Sequence, residues 1–342
     1  MINNYNEFRN VLFPLLRCVY CDNSQLTLVK ENFSFDLPIH LHQEHILCNN
    51  CGNRYPISED IIPIMWSSSL REHFTNKNNQ ISNLEANILI YDAISDNYQL
   101  YTRQYPGVAK RIQNAVTRIV EHENNLYHLD FGCGPGHVLG WLKSKNFISI
   151  GMDVSINNLR NARKNTGSLV VCGDATCMPF CDKSINIVTE SSVLHHIYDW
   201  KPVIYESCRI CKHPGGIIID SEPSKETKAW SPIAVAIFNL RFTFYKALSY
   251  IMKNKYMFRN IKQAKLNLLA EVHNKPGGGF PLDELRNLFE QNGFSVEIIL
   301  SPTHNLVSKA NPNWKSIILN ILSGHNPWNP KYGSFMAIAK YR

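Results

Sequence analysis

The segment His128-Leu-Asp130-Phe-Gly132-Cys-Gly134-Pro-Gly136 limits the fold more than any other stretch of this 342-residue chain. A short apolar run over 127–131 stops on a cluster of glycines, and a helical pattern follows at 138–145. A buried strand that turns on glycine into a helix is the opening unit of a parallel, doubly wound sheet. Gly132 and Gly134 permit a tight turn and close backbone approach to a ligand. Gly136 leads into a helix whose free N–H groups favour an anion. The dinucleotide fingerprint G-x-G-x-x-G needs a small third residue three places after the second glycine. His137 stands there, and the third glycine comes one residue early.

The same alternation continues downstream. Further strands are expected at 149–153, 169–172, 186–189 and 216–220, with helices at 156–164 and 200–209 between them. A helix over 281–291, stopped at Gly293, and strands at 296–300 and 334–339 complete the pattern. The expected fold class is α/β, Rossmann-like, with a mostly parallel seven-stranded sheet. Residues 86–222 form its core and 281–342 its C-terminal part. The polar stretch 67–85 reads as a linker.

The expected strand ends carry the chemistry. Asp153 closes the second strand, beside Val154, and can accept hydrogen bonds from a pair of hydroxyls. Gly173-Asp174-Ala175 follows the third strand. Glu190-Ser-Ser-Val-Leu-His195-His196-Ile follows the fourth, and Pro214-Gly215-Gly216 precedes the fifth. As a set, in this order, these segments resemble the class I S-adenosylmethionine-dependent methyltransferases of the small-molecule and quinone type. The resemblance covers residues 86–222, with a weaker echo at 281–341.

It implies that Asp130, Gly132, Gly134 and Gly136 form the methyl-donor loop. Asp153 would then take the donor ribose and Asp174 its adenine, with Val154 and Ala175 also among the donor-binding residues. It places Glu190 facing donor or substrate, so Glu190 and His195 are the candidates for catalysis; at least one histidine of the 195–196 pair has a structural or donor-shaping role. Tyr91 and Tyr98, seven residues apart, share one helix face. The family uses that helix as a lid; packing aromatics are the alternative.

Residues 1–66 carry a different signature. Cys18-Val-Tyr-Cys21 and Cys48-Asn-Asn-Cys51 offer four thiolates from two tight turns, the donor set of a closed, structural zinc site. A segment this small gains its missing folding energy from the metal. Leu16-Arg17-Cys18, Cys51-Gly52, Tyr55-Pro56-Ile57 and Ile61-Ile62-Pro63-Ile64 resemble the zinc-ribbon proteins that activate tRNA methyltransferases. That resemblance implies an accessory fold and no catalysis. Cys208-Arg-Ile-Cys211 repeats the spacing at a helix end, where burial is expected instead.

The third unusual region is 223–280. Between Glu226 and Glu271 lie eight Lys and Arg and no acidic residue, within a chain of net charge +7. The segment reads as a helical, basic, aromatic insert that is a lid, a membrane-surface contact or a packing or dimer face. The expected partner is a small hydrophobic or anionic molecule. RNA is the alternative, since basic residues track phosphates; no DNA partner is expected. Ten cysteines and no secretory pattern at the N-terminus point to a reducing, cytoplasmic setting.

Overall fold

In the computed structural model, the described residues are 2–31, 33–35, 37–75, 81–94, 106–120, 126–143, 147–251, 255–302, 321 and 332–342. Tyr98 lies outside them. After helix α1 (Ile2–Glu7), strands β1 (Leu26–Val29), β2 (Leu41–Cys48) and β3 (Arg54–Ser58) form an antiparallel sheet of their own. The chain then leaves it, and β4 (Ile64–Met65) pairs in parallel with β7 (Leu169–Gly173) of the main sheet.

The main sheet also contains β5 (Tyr127–Phe131), β6 (Ile148–Asp153), β8 (Ile185–Ser191), β9 (Cys211–Glu222), β10 (Phe294–Pro302) and β11 (Tyr332–Tyr341). Its order is β10-β11-β9-β8-β5-β6-β7-β4. β11 pairs antiparallel with both β10 and β9, and the other described pairs are parallel. The expected seven strands are therefore eight. The extra one is β4, drawn in because Ile62, Ile64 and Met65 are apolar enough to be wholly buried there.

Parallel strands are covered on both faces and read as continuous apolar runs. β5, β7 and β8 obey this, with most residues buried. β5 and β8 are adjacent, and the chain winds outward from them in opposite directions. This is the topological switch point, where such sheets open a crevice beyond their carboxyl ends.

The covering helices are α4 (Pro106–Ile119), α5 (His137–Trp141), α6 (Ile156–Thr166), α7 (Lys201–Ile210) and α11 (Leu282–Gln291), with α2 (Ser68–Thr75) and α3 (Asn83–Ile94) ahead of them. The Ser155 side chain caps α6 by accepting from the Asn158 N–H, which explains where that helix starts. The stretch 67–85 departs from its reading as a linker. It contains α2, whose Leu70 is fully buried, and the start of α3. One apolar side chain at the right place outweighed a polar composition. The fifth strand starts directly after α7, so Pro214-Gly215-Gly216 lies within it.

The insert contains three helices among its described residues, α8 (Lys225–Lys228), α9 (Pro232–Ile251) and α10 (Lys255–Ala270), and returns to the core through turns at 271–280. No described helix is long and apolar enough to cross a membrane. The N-terminal sheet and the main sheet share one apolar core. Backbone bonds join them: Arg17 N–H to Pro179 O at 3.0 Å, Cys181 N–H to Leu15 O at 2.8 Å and Cys172 N–H to Pro63 O at 2.9 Å.

Candidate active site and metal centre

A cavity of about 730 Å³ opens at the carboxyl ends of the strands. Asp130, Gly132, Gly134, Asp153, Val154, Asp174, Ala175 and His195 all line it. The glycine loop reaches this position because β5 ends there and Gly132 (φ 61°) and Gly134 (φ 49°) turn the chain through left-handed backbone. A Cβ on Gly132 would lie 2.4 Å from Val193 Cγ1, so this glycine also admits the loop that follows β8.

Asp153 holds the turn. Its Oδ2 accepts the Gly134 N–H and its Oδ1 the Ser155 N–H, both at 2.9 Å. Burial lifts this carboxyl to about 6, against those same backbone bonds, which favour the charged form. Asp130 is more deeply set. Burial raises it to about 8 despite a 2.7 Å bond from Thr189 Oγ1. The same hydroxyl lies 2.8 Å from His128 Nε2, and burial alone brings that imidazole down to about 3. Asp174 accepts from the Thr176 N–H and hydroxyl through Oδ1 and from Ser67 Oγ through Oδ2. Ser67 thus ties the segment after β4 to the cavity wall.

Two expected residues do not reach the cavity wall. Gly136 (φ 91°) faces α6 instead; a Cβ there would lie 3.1 Å from Ala162 Cα. Its freedom serves helix packing. Glu190 is fully buried beneath the loop after β8 and is absent from the lining. Its Oε2 accepts the Val193 N–H at 3.0 Å. Burial, then the charge of Glu222, pushes its carboxyl well above the usual range. It supports the loop from below.

Sequence reasoning placed Glu222 only at the border of the insert. It is buried at the end of β9 and accepts three bonds: the Leu194 N–H at 2.9 Å, the His195 N–H at 3.0 Å and His195 Nδ1 at 3.0 Å. The available signal was an acidic residue closing the fifth strand. The His195 and His196 rings lie 4.1 Å apart, and His196 Nε2 is 3.0 Å from the Tyr91 hydroxyl. Burial first, and His195 second, hold His196 well below the usual imidazole range. Ser192 (φ 62°) and Ser221 (φ 64°) line the cavity in left-handed backbone that non-glycine residues rarely adopt.

The far wall is helical. Asn83, Leu84, Asn87 and Tyr91 of α3 contribute to it, with Lys228 and Asn274 from the two ends of the insert. The buried Asn87 Oδ1 has no hydrogen-bond partner among the described residues. Lys228 bonds Asn274 Oδ1, and burial lowers its ammonium.

Residues 129–219 match the family described as methyltransferase domain. Residues 129–219 thus carry a methyltransferase domain. A demethylmenaquinone methyltransferase of Staphylococcus epidermidis is 30% identical over 160 residues, which are 45% of this chain and 60% of that protein. An uncharacterized 37.1 kDa protein in transposon TN4556 of Streptomyces fradiae is 36% identical over 102 residues, 28% of this chain and 29% of its own length. The chain thus spans less than two thirds of either curated relative. Among solved structures, a chain from the complex of the Haloferax volcanii Trm112 methyltransferase activator with a methyltransferase is 16% identical, with a TM-score of 0.45. The likeness covers 73% of this chain and 96% of that one.

Outside the methyltransferase domain, the Sγ atoms of Cys18, Cys21, Cys48 and Cys51 all lie within 4.8 Å of one another. The two Cys-x-x-Cys turns are built alike. Asp22 N–H donates to Cys18 O and Gly52 N–H to Cys48 O; Cys18 N–H donates to Asn23 O and Cys48 N–H to Asn53 O. Cys18 Sγ sits 3.5 Å from Cys51 Sγ, and Cys21 Sγ 3.6 Å from Cys48 Sγ. Tetrahedral metal–sulfur bonds of about 2.3 Å put sulfurs about 3.8 Å apart, so the cluster fits such an ion. Cys208 and Cys211 are buried, and burial pushes both thiols up.

Proposed function

We propose that this protein transfers a methyl group from S-adenosylmethionine to a small hydrophobic or anionic acceptor. The observation that carries this reading is Asp153, anchored by the Gly134 and Ser155 N–H groups in the wall of one cavity with Gly132 and Asp174. Each of its oxygens has spent one lone pair on the backbone and keeps another for a ribose hydroxyl. Asp174 and Ala175 bound the adenine end. Asp130 meets the positive methionyl end, where a nearby cation favours its charged form. A volume of about 730 Å³ leaves room for an acceptor beside the donor.

When bound, the donor supplies an already activated methyl group. The chain's part is to align an acceptor atom behind that carbon and exclude water, which supplies about 7–11 kcal/mol in well-oriented reactions. His195 is the general base of this reading. The Glu222 carboxylate accepts its Nδ1–H and leaves Nε2 as the proton-accepting nitrogen. Glu222 is a positioning residue, and Glu190 supports the same loop. Lys228 in the cavity wall suits an acceptor that is anionic or becomes so. The name of the Staphylococcus relative, a demethylmenaquinone methyltransferase, supports a hydrophobic acceptor.

Titration calorimetry with S-adenosylhomocysteine tests this reading, and micromolar association is expected. No heat from folded wild-type protein would remove it. An Asp153→Ala protein of normal fold that binds with unchanged affinity would remove the assigned role of Asp153.

The four thiolates of the N-terminal sheet would hold a structural zinc ion, with no open position for chemistry. One zinc per chain is expected by elemental analysis. Chelation should lower the melting temperature of the whole protein, because the two sheets share a core.

A further inference from the structure

Helix α9 presents an uncovered apolar face. Ile233 (68% exposed), Ile237 (50%), Leu240 (63%) and Phe244 (66%) recur at helical spacing. At about 100° per residue they fall within a sector of about 60°. Ala236, Thr243 and Ala247, also exposed, widen the face without adding a charge. The opposite side of the helix is the packed one: Ala234 is buried, and Phe238 meets the Trp230 ring edge-on. A contiguous exposed apolar face of this kind marks an interaction surface.

Its borders are cationic. Arg241 lies on one flank, stacked 3.4 Å over the Phe238 ring and 4.1 Å from that of Phe242. Lys246 is exposed on the other flank. Helix α10 adds exposed Lys262 and Lys265, the latter 6.0 Å from the Phe242 ring. No acidic residue interrupts 227–270. A symmetric dimer through this face would set the same cations against one another. Phosphate-bearing RNA would meet an apolar stripe it cannot solvate. An anionic lipid surface satisfies both properties: the stripe enters the acyl boundary, and long basic side chains reach back to the headgroups.

We propose that α9 docks this protein on anionic membranes. The helix would lie in the interface plane, since no described helix is suited to span a bilayer. The insert springs from the cavity rim, where Lys228, Asn274 and the 77%-exposed Tyr198 stand. Docking therefore brings the cavity mouth to the lipid, and a lipid-dissolved acceptor would enter directly; that last clause rests on the proposed reaction.

The test is co-sedimentation of the full chain with vesicles, needing neither donor nor acceptor. Vesicles of phosphatidylcholine with phosphatidylglycerol should retain the protein at low salt and lose much of it at high salt. Pure phosphatidylcholine should retain less. The triple variant Ile237→Gln, Leu240→Gln, Phe244→Gln changes exposed side chains only. It should lower the partition coefficient more than about tenfold, with the melting temperature and S-adenosylhomocysteine binding unchanged. A second variant, Lys246→Glu with Lys262→Glu and Lys265→Glu, should lose the preference for anionic lipid. Absence of vesicle binding by the wild type, or equal binding by the triple variant, overturns the proposal. Wild-type dimerisation that the triple variant abolishes, without vesicle binding, gives the face to a second copy instead.

Discussion

The strand-end wall of the cavity and its helical wall are held in different ways. On the strand side, Asp153, Asp174 and Glu222 each bind backbone N–H groups within the loops they shape. Those loops are fixed before any ligand arrives. On the helical side, Asn87 leaves Oδ1 unpartnered among the described residues, and Lys228 is a half-buried cation held through Asn274. One wall is preorganised, and the other keeps polar groups in reserve. Such a division suits a fixed donor and a variable acceptor, and it can be broken by mutation.

The largest effect is expected at His195. In His195→Ala, turnover should fall about 10²–10⁴-fold for an acceptor that starts protonated, as removal of a general base does. S-adenosylhomocysteine affinity should hold. Glu222→Gln should also lower kcat, since an amide oxygen accepts from His195 Nδ1 less strongly than a carboxylate and orients the ring less firmly. A His195→Ala enzyme with wild-type kcat would make this histidine structural.

Gly132→Ala comes next. Left-handed backbone costs a non-glycine residue about 1–2 kcal/mol. The new Cβ would also meet Val193 Cγ1 at 2.4 Å, and overpacking adds about 1–3 kcal/mol. Lower thermal stability and weakened S-adenosylhomocysteine binding are expected together. Weak binding with intact stability would mean that the glycine serves the ligand alone.

The third effect is in pH. Asp153 is raised to about 6 in the folded state, above its usual value. The folded chain therefore holds this proton more tightly than the unfolded one. Its contribution to stability is full in acid and declines as pH rises through about 6. Ribose binding needs the carboxylate, so donor affinity should rise over the same window. Opposite slopes in melting and calorimetry check the assignment. Asp130, raised to about 8, is largely protonated at pH 7. A cationic donor should make it release up to about 0.9 of a proton. Calorimetry in buffers of different ionisation enthalpy reads this, and Asp130→Asn should abolish it.

These sites differ in how much of them sequence reveals. The strand-end wall is legible because each position is local: a glycine pair after an apolar strand, a carboxylate at the next strand end. β5 has the bounds expected from its apolar run. Glu190 and Gly136 show the limit of that reasoning. A strand-end position fixes where a residue sits along the sheet, while burial against Glu222 or α6 decides which way it serves. The Glu222–His195 contact joins residues 27 apart through the pairing of β8 with β9, and no local pattern encodes it. Likewise β4 reads as the tail of a small metal-binding unit until its partner β7 is in place.

The smallest effect sharpens the division most. The Tyr91 hydroxyl lies 3.0 Å from His196 Nε2, linking α3 to the loop after β8, and both residues line the cavity. His196 is held neutral, so this is a hydrogen bond between uncharged groups. Tyr91→Phe keeps the ring, which meets His196 edge-on, and removes that bond. A typical net value is about 0.5–1.5 kcal/mol, equivalent to a change of roughly two- to twelvefold. If the helical wall belongs to the acceptor, the change appears in the acceptor KM while S-adenosylhomocysteine affinity stays within twofold. If donor affinity falls instead, α3 closes over the donor. The two walls then act on one ligand, and specificity for the acceptor must come from Lys228 and the insert.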